Sequence, residues 1–179
     1  IELSHNGKVS ERHVKRVGMR EVEIIGARLC VNKVPILLKG VNRHEYVPDN
    51  GRAIDFEITK TELELLKKNN VNAIRCSHYP NNPFFYELCN EMGFYVMDEA
   101  DLETHGCGVT GDQGWLSKDE NWFGAYLDRA ERMYERDKNE TCIIIWSVGN
   151  ECGNGDNLVK CAEYLKSQYI KKPVSLSAG

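Results

Sequence analysis

Carboxylate and imidazole side chains follow short apolar runs in this sequence. Asn150 and Glu151 come soon after the β-branched run at residues 143–145, and Glu103 and His105 follow an earlier run. Glu151 is a candidate proton-transferring acid, because glycoside hydrolysis needs one carboxylic acid and one carboxylate that face each other across the sugar. Glu103 and His105 are two residues apart and point the same way in an extended segment, so they form a candidate cation site.

Other polar side chains after the apolar runs have competing interpretations. Asp98 and Glu99 also end a run, but such residues are more often ion-pair partners than catalysts. His44 is interpreted as a structural residue that fixes its loop by hydrogen bonds, whereas His78 is either a capped core histidine or a site residue. Aromatic rings could stack on a sugar, but most tryptophans are packed in cores. This applies to Trp115, Trp122 and Trp146.

The apolar runs alternate with amphipathic helical patterns, which predicts a parallel sheet covered by helices. Right-handed crossovers then place the carboxyl ends of all strands at one edge, where barrel enzymes carry their chemistry. The predicted strands lie at residues 36–38, 71–76, 94–97, 143–145 and 174–176. The predicted fold class is therefore α/β, a partial (β/α)8 TIM barrel with about its first five strands.

The helices between these strands carry start and stop signals. Thr59 and Glu62 form a capping box, which predicts the start of the first helix. Asn82 and Pro83 predict the start of the second helix, and Gly93 predicts its end. Two further helices are predicted from apolar stripes. The stripes consist of Phe123, Tyr126, Leu127, Ala130 and Tyr134, and of Leu158, Cys161, Ala162, Leu165 and Tyr169.

The chain is predicted to contain the end of one domain and the beginning of another. Residues 1–25 are interpreted as the linker or tail of a preceding β-sandwich. Residues 26–179 are interpreted as the amino-terminal part of a truncated barrel domain, which opens with a short hairpin around Asn32. Because the sequence lacks a starting Met and ends without a closing helix, we expect it to be a piece of a longer protein.

Composition argues against several classes of function. The 179 residues carry a formal net charge of −4, which gives no basic field for nucleic acid. No run approaches the roughly 20 apolar residues of a membrane helix, so no membrane contact is expected. The seven cysteines include no C-x₂₋₄-C pair, which argues against a zinc site. Cys76, Cys89, Cys142 and Cys161 lie in apolar-patterned segments, and we interpret them as reduced core residues of a cytoplasmic protein.

Four segments resemble, in the same order along the chain, the β-galactosidases of glycoside hydrolase family 2. A shorter segment at residues 17–20 resembles the link from that family's immunoglobulin-like sandwich into its barrel. The resemblance covers nearly the whole chain, and the four motifs together are very specific. They are residues 40–45 (GVNRHE), 75–81 (RCSHYPN), 98–106 (DEADLETHG) and 146–151 (WSVGNE).

The resemblance implies a role for each matching residue. Glu151 is expected to be the general acid/base, and Asn150 to hydrogen-bond the 2-hydroxyl of the sugar. His78 is expected to contact the galactosyl group near the transition state. Glu103, His105 and Glu151 are expected to hold a magnesium ion. The family's nucleophile is a second glutamate that would lie beyond residue 179, and the ligands of its sodium site also lie outside this chain.

The resemblance implies that the parent protein hydrolyses lactose-like β-D-galactosides with retention of configuration. We expect the parent to be a homo-oligomer, and we expect the 179-residue piece to be inactive without the nucleophile and the remaining half of the barrel. One alternative is a family 2 β-glucuronidase, which is the weaker match because NRHE and ETHG are the galactosidase forms. Another alternative is a non-catalytic assembly fragment, because a half-barrel leaves bare strand edges.

Overall fold

Strands and helices alternate along most of the chain in the computed structural model, which describes residues 1–168 and 173–175. The strands are β1 (Glu2–His5), β2 (Lys8–Arg12), β3 (Val22–Ile25), β4 (Arg28–Val31), β5 (Val34–Pro35), β6 (Gly40–Arg43), β7 (Ala73–Cys76), β8 (Tyr95–Glu99), β9 (Ile143–Ser147) and β10 (Val174–Ser175). The α-helices are α1 (Phe56–Lys68), α2 (Pro83–Met92), α3 (Trp115–Lys118), α4 (Phe123–Asp137) and α5 (Asp156–Gln168). Two 3₁₀ helices span His105–Thr110 and Glu120–Trp122.

The main sheet is parallel throughout and has the strand order β6-β7-β8-β9-β10. Neighbours in the sheet are therefore successive strands of the chain that are joined through helices, as in a TIM barrel. This confirms the predicted fold class, a partial barrel with five strands. All five carboxyl ends lie at one edge of the sheet, which we call the mouth, and the amino-terminal ends lie at the opposite edge, which we call the floor.

Helices cover one face of the parallel sheet and bury a continuous apolar core. Removing this apolar surface from water is the main stabilising contribution, at roughly 25 cal/mol per Å². The largest buried side chains of the core include Leu63, Phe85, Tyr126, Trp146 and Leu165. The predicted stripes of α4 and α5 face this core, except that Tyr169 lies outside the described residues. Among the described residues, no helix is both long enough and apolar enough to cross a membrane.

The two ends of α2 agree with the sequence prediction. The Asn82 side chain accepts a hydrogen bond from the backbone N–H of Phe84, and Gly93 ends the helix with a φ of 71°. The start of α1 does not agree, because its N-cap is Asp55, whose carboxylate accepts from Ile58 N at 2.8 Å. Thr59 is instead buried inside the helix, so the predicted capping box is wrong.

The first strand of the parallel sheet also differs from the prediction. We expected it at residues 36–38, but Leu37 and Leu38 are exposed and β6 begins at Gly40. β6 escapes a search for apolar runs because it contains Asn42 and Arg43. The other four predicted strands are observed with their ends shifted by at most two residues, and residue 176 of the fifth lies outside the described residues.

The residues before the parallel sheet form two small antiparallel sheets, β1-β2 and β3-β4-β5. Asn32 and Lys33 turn the predicted hairpin with φ values of 51° and 67°. Residues 13–21, which we call the entry segment, cross the floor. Arg20 donates to the carbonyl oxygens of Glu140 at 2.8 Å and Ile143 at 2.6 Å. The chain therefore reaches the sheet from the edge opposite the mouth.

Candidate active site

Two loops at the mouth are joined side by side, one following β8 and one following β9. Glu103 and Asn150 form a parallel bridge, and Asn150 N donates to Leu102 O at 2.9 Å. Gln113 Nε2 donates to the backbone oxygen of Glu151 at 2.6 Å, and Glu151 itself has a φ of 45°. This left-handed conformation is uncommon for a residue with a side chain. The carboxylate of Glu151 is therefore aimed by the backbone of both loops.

Glu103, His105 and Glu151 meet where these loops join. One ligand atom from each residue lies within 4.8 Å of the other two. His105 Nδ1 contacts Glu151 Oε2, and the backbone N–H of His105 donates to Glu103 Oε1 at 3.1 Å. The sequence predicted this meeting, although His105 begins a 3₁₀ helix instead of continuing an extended segment.

The donor set of this cluster fits a divalent cation. Two carboxylates supply the oxygen ligands that Mg²⁺ prefers, and the exposure of Glu103 and His105 leaves room for the waters that Mg²⁺ usually keeps. An imidazole is an unusual ligand for magnesium and suits a transition metal better. The residues therefore fit a hydrated cation held mainly by Glu103 and Glu151, and magnesium binding stays a prediction.

Asn150 lies under this cluster and is held from both sides. Its Oδ1 accepts from Arg75 at 2.9 Å, and its Nδ2 donates to Glu103 at 2.6 Å. An amide has two donor hydrogens and two acceptor lone pairs. One hydrogen and one lone pair are left for a ligand, in an orientation that the two contacts fix. The structure therefore brings Asn150, which follows β9, together with Arg75 of β7 and Glu103 after β8.

Glu99 is the centre of a second polar group at the mouth, and its side chain is 0% exposed. Its carboxylate accepts two hydrogen bonds from Arg75, at 2.7 and 3.0 Å. Ser147 Oγ donates to it at 2.8 Å, and His78 Nδ1 lies 2.7 Å from it. The interpretation of Glu99 as an ion-pair partner is correct, but its contact with His78 was missed. Side-chain alternation along β8 was the available signal, since it separates Asp98 from Glu99.

Asp98 points away from the mouth into the helical layer. Tyr86 donates its hydroxyl hydrogen to Asp98 at 2.6 Å. Burial, followed by the nearby Asp137 carboxylate, raises the pKa of Asp98 well above its usual value. Asp98 is therefore a core residue and not the second carboxylate of a catalytic pair at the mouth.

The polar residues at the carboxyl end of β6 are structural in large part. The Arg43 side chain is buried, donates to Glu62 at 2.9 Å and to Asn81 at 2.7 Å, and lies over the Phe85 ring. His44 sits edge-on to His78, with ring centroids 5.3 Å apart. Arg43 therefore anchors α1 and the loop after β7.

The three tryptophans divide between the core and the surface. Trp146 is buried in the core, as most tryptophans are. Trp115 and Trp122 are 44% and 43% exposed and pack edge to face, with ring centroids 6.4 Å apart. Trp115 begins the short helix α3.

The cysteine next to Glu151 is not a reactive thiol. Cys152 follows Glu151 directly but is fully buried, and this burial raises the pKa of its thiol to about 11. The thiolate is the nucleophilic form of cysteine, and at neutral pH Cys152 is therefore protonated and inert. All seven cysteines are free thiols, and six of them are buried, in agreement with the prediction.

Comparison with known families gives one match over most of the chain. The family described as "Glycosyl hydrolases family 2, TIM barrel domain" matches residues 22–178. This range contains all of β3 to β10 and every residue of the mouth described above.

Sequence relatives and solved structures carry the names of two glycosidases. The chain is 45% identical over 177 residues to a β-galactosidase of Pseudoalteromonas haloplanktis, and 44% identical over 173 residues to one of Pectobacterium atrosepticum. The two alignments cover 99% and 97% of this chain but only 17% and 16% of the relatives. Among solved structures, a β-glucuronidase from Ruminococcus gnavus in complex with C6-substituted uronic isofagomine matches with a TM-score of 0.79 at 26% identity, over 97% of this chain and 30% of that chain.

Proposed function

The chain belongs to the TIM-barrel domain of glycoside hydrolase family 2, and from this premise we propose that the full-length protein containing it is a retaining β-galactosidase. The observation that supports this most directly is the position of Glu151 at the mouth, beside Asn150 and within reach of Glu103 and His105. A carboxyl group in this place can protonate the glycosidic oxygen of a sugar bound over the strand ends.

A retaining glycosidase cleaves its substrate in two successive displacements at the anomeric carbon. Glu151, Asn150 and His78 each have a proposed part in them. Glu151 gives its proton to the glycosidic oxygen as the bond from that oxygen to the anomeric carbon breaks. A nucleophilic glutamate, which we expect after residue 179, forms the covalent bond to that carbon. Glu151 then takes a proton from water as the water replaces the glutamate. The free hydrogen-bonding positions of Asn150 suit the 2-hydroxyl, and His78 contacts the sugar.

We propose that Glu103, His105 and Glu151 hold a magnesium ion. When bound, the ion supplies a positive charge beside the carboxylate of Glu151 and modulates its acidity. Within the chain itself, Glu103 also accepts a hydrogen bond from Asn150, so the same carboxylate links the cation site to the sugar-binding amide. The ligands of the expected sodium site would come from other parts of the full-length protein.

The substrate class is proposed from the relative strength of two comparisons. Relatives at 43–45% identity are named β-galactosidases, whereas the structural matches at 26–29% identity are named β-glucuronidases. The higher identity extends over the whole chain and favours a neutral galactoside. A glucuronide carries a carboxylate and is the second candidate.

The experiment uses the full-length protein and a paired set of p-nitrophenyl galactoside and glucuronide. We expect kcat/KM to favour the galactoside. We expect Glu151→Gln to lower kcat for a galactoside with a poor leaving group by about 10²–10⁴-fold, because such a group needs the acid. Glu135→Gln, on the outer surface of α4, is the matched control and leaves the rate unchanged. A Glu151→Gln enzyme with the wild-type rate would refute the assignment.

The cellular and quaternary context is also proposed. All seven thiols are free, which suits a reducing compartment such as the cytoplasm. The uncovered inner face of the sheet carries Met97 and Ile145, which suits contact with the remaining half of the barrel. We expect the full-length protein to form a homo-oligomer in sedimentation experiments, and we expect the 179-residue piece alone to show no turnover.

A further inference from the structure

Four hydrogen bonds converge on the buried carboxylate of Glu99. Oε2 accepts from Arg75 Nε at 2.7 Å and from Ser147 Oγ at 2.8 Å. Oε1 accepts from the second nitrogen of Arg75 at 3.0 Å and lies 2.7 Å from His78 Nδ1. A carboxylate offers about four acceptor positions and no hydrogen to donate. All of these positions are therefore used, and each partner must bring a hydrogen.

This requirement determines which nitrogen of His78 carries a hydrogen. The Nδ1 position must be protonated to donate to Glu99, whatever the charge of the ring. Arg75 also approaches Nδ1, at 3.4 Å. An arginine can only donate, so that longer contact is a close approach and not a hydrogen bond when Nδ1 carries its own hydrogen. The 2.7 Å contact with Glu99 is the one that determines the tautomer.

The other ring nitrogen of His78 is then available at the mouth. Within the part of the chain that the structure describes, no group hydrogen-bonds Nε2, and the His78 side chain is 26% exposed. The edge-on ring of His44 limits rotation on the other side. Nε2 is therefore the nitrogen that a bound sugar meets.

We propose that Glu99 is a positioning residue of the site, which fixes the ring and the tautomer of His78 so that Nε2 faces a sugar hydroxyl. The inference rests on the proposed glycosidase function and adds a residue that touches no substrate. Glu99 also orients a second side chain indirectly, because the Arg75 guanidinium that it holds donates to Asn150 at 2.9 Å. One buried carboxylate thus aligns the two side chains proposed to contact the galactosyl group.

The test is a double-mutant cycle in the full-length protein. We expect Glu99→Gln to lower kcat on an aryl galactoside about 100-fold with KM changed less than threefold, which is the size of effect seen when one preorganised donor is lost. In a His78→Ala background, Glu99→Gln should cost less than a further tenfold, because the ring that it positions is gone. Fully multiplicative losses would overturn the proposal.

A second measurement separates positioning from a purely structural role. A galactonolactone, whose planar carbon imitates the transition state, should bind Glu99→Gln about 100-fold more weakly than wild type. A thio-β-galactoside, which imitates the ground state, should bind within threefold of wild type. Asp98→Asn is the matched control, because it alters a fully buried carboxylate on the same strand that does not contact His78. Equal losses for both ligands would overturn the proposal.

Two further experiments cover the cases in which Glu99→Gln does not fold or the wild type is inactive. If Glu99→Gln does not fold, Glu99→Asp retains the charge opposite Arg75 but withdraws the oxygen from His78, and we expect a loss of about tenfold with the same non-additivity. If wild type cleaves neither galactoside nor glucuronide, the proposed function has failed independently. Crystal structures then test the positioning alone. A His78 ring that keeps its place in Glu99→Gln would overturn it, and a turned or divided ring would support it.

Discussion

Gly149 is the position where the structure makes the sharpest prediction about the mouth. It follows β9 with a φ of 140°, and a Cβ placed on it would lie 2.8 Å from both the Cβ and the carbonyl oxygen of Leu102. Gly149→Ala therefore combines two costs, a strained backbone and an overlap with the neighbouring loop. The overlap would push that loop away from Asn150 and Glu151.

The magnitude follows from adding these costs. A residue with a side chain in this region of φ costs about 1–3 kcal/mol, and overpacking against a fixed backbone costs about 1–3 kcal/mol more. We therefore expect Gly149→Ala to lower the free energy of unfolding by about 2–6 kcal/mol. Gly111→Ala has the strain without the overlap, since its φ is 114° and nothing lies within 4 Å. Gly106→Ala has neither cost.

The assay compares the three variants in the full-length protein by calorimetry and by kcat/KM on an aryl galactoside. We expect the transition midpoint to fall least for Gly106→Ala, more for Gly111→Ala and most for Gly149→Ala. Activity should fall only for Gly149→Ala, because only that substitution separates the two loops. If Gly149→Ala behaves like Gly111→Ala in both measurements, the reasoning about the contact between the loops is refuted.

Three further predictions concern single side chains. Burial and the nearby Asp137 raise the pKa of Asp98, so the stability contributed by Asp98 falls as pH rises from about 4 through that raised pKa. We expect Asp98→Asn to exceed the wild-type urea midpoint at pH 7 and to match it near pH 3. Arg43→Met leaves the largely buried carboxylate of Glu45 without its cation and should cost about 3 kcal/mol in urea unfolding. Glu103→Gln should weaken Mg²⁺ binding at least about tenfold in equilibrium dialysis, and chelation should lower activity until Mg²⁺ returns. Equal urea midpoints for wild type and Asp98→Asn at pH 7 would contradict the first prediction. An unchanged urea midpoint for Arg43→Met would contradict the second, and unchanged Mg²⁺ affinity for Glu103→Gln in dialysis would contradict the third.

Much of the fold could be predicted because the sheet and its helices have strong periodic signals. β7, β8, β9 and α2 have apolar runs or explicit end signals, and all four were predicted. β6 was missed because its Arg43 is buried with help from Glu62 and Asn81, which are distant in sequence and which no local pattern reveals. The hairpin β1-β2 was also missed, although Asn6-Gly7 between its strands is a strong turn signal.

The candidate site was predictable in its position but not in its contacts. Strand order alone places residues after β7, β8 and β9 at one edge, and the structure brings Glu103, His105 and Glu151 together there. The four hydrogen bonds on Glu99 depend on the side-chain directions of Arg75 on β7, His78 in the loop after β7 and Ser147 on β9. The order of residues along the sequence does not reveal that these three side chains converge on one carboxylate. The contact of Gln113 with the backbone of Glu151 has no sequence signal at all.

The entry segment and the mouth should respond differently to evolutionary drift. At the floor, Arg20 is held by the carbonyl oxygens of Glu140 and Ile143, and a carbonyl persists whatever side chain a codon change introduces. At the mouth, Arg75 and Glu99 each depend on the identity of the other. A deep mutational scan should therefore find that substitutions of Glu140 and Ile143 at the floor are tolerated, whereas Arg75 and Glu99 at the mouth tolerate substitution only as a pair. Lineages can then vary the side chains at the floor of this sheet while leaving the mouth intact.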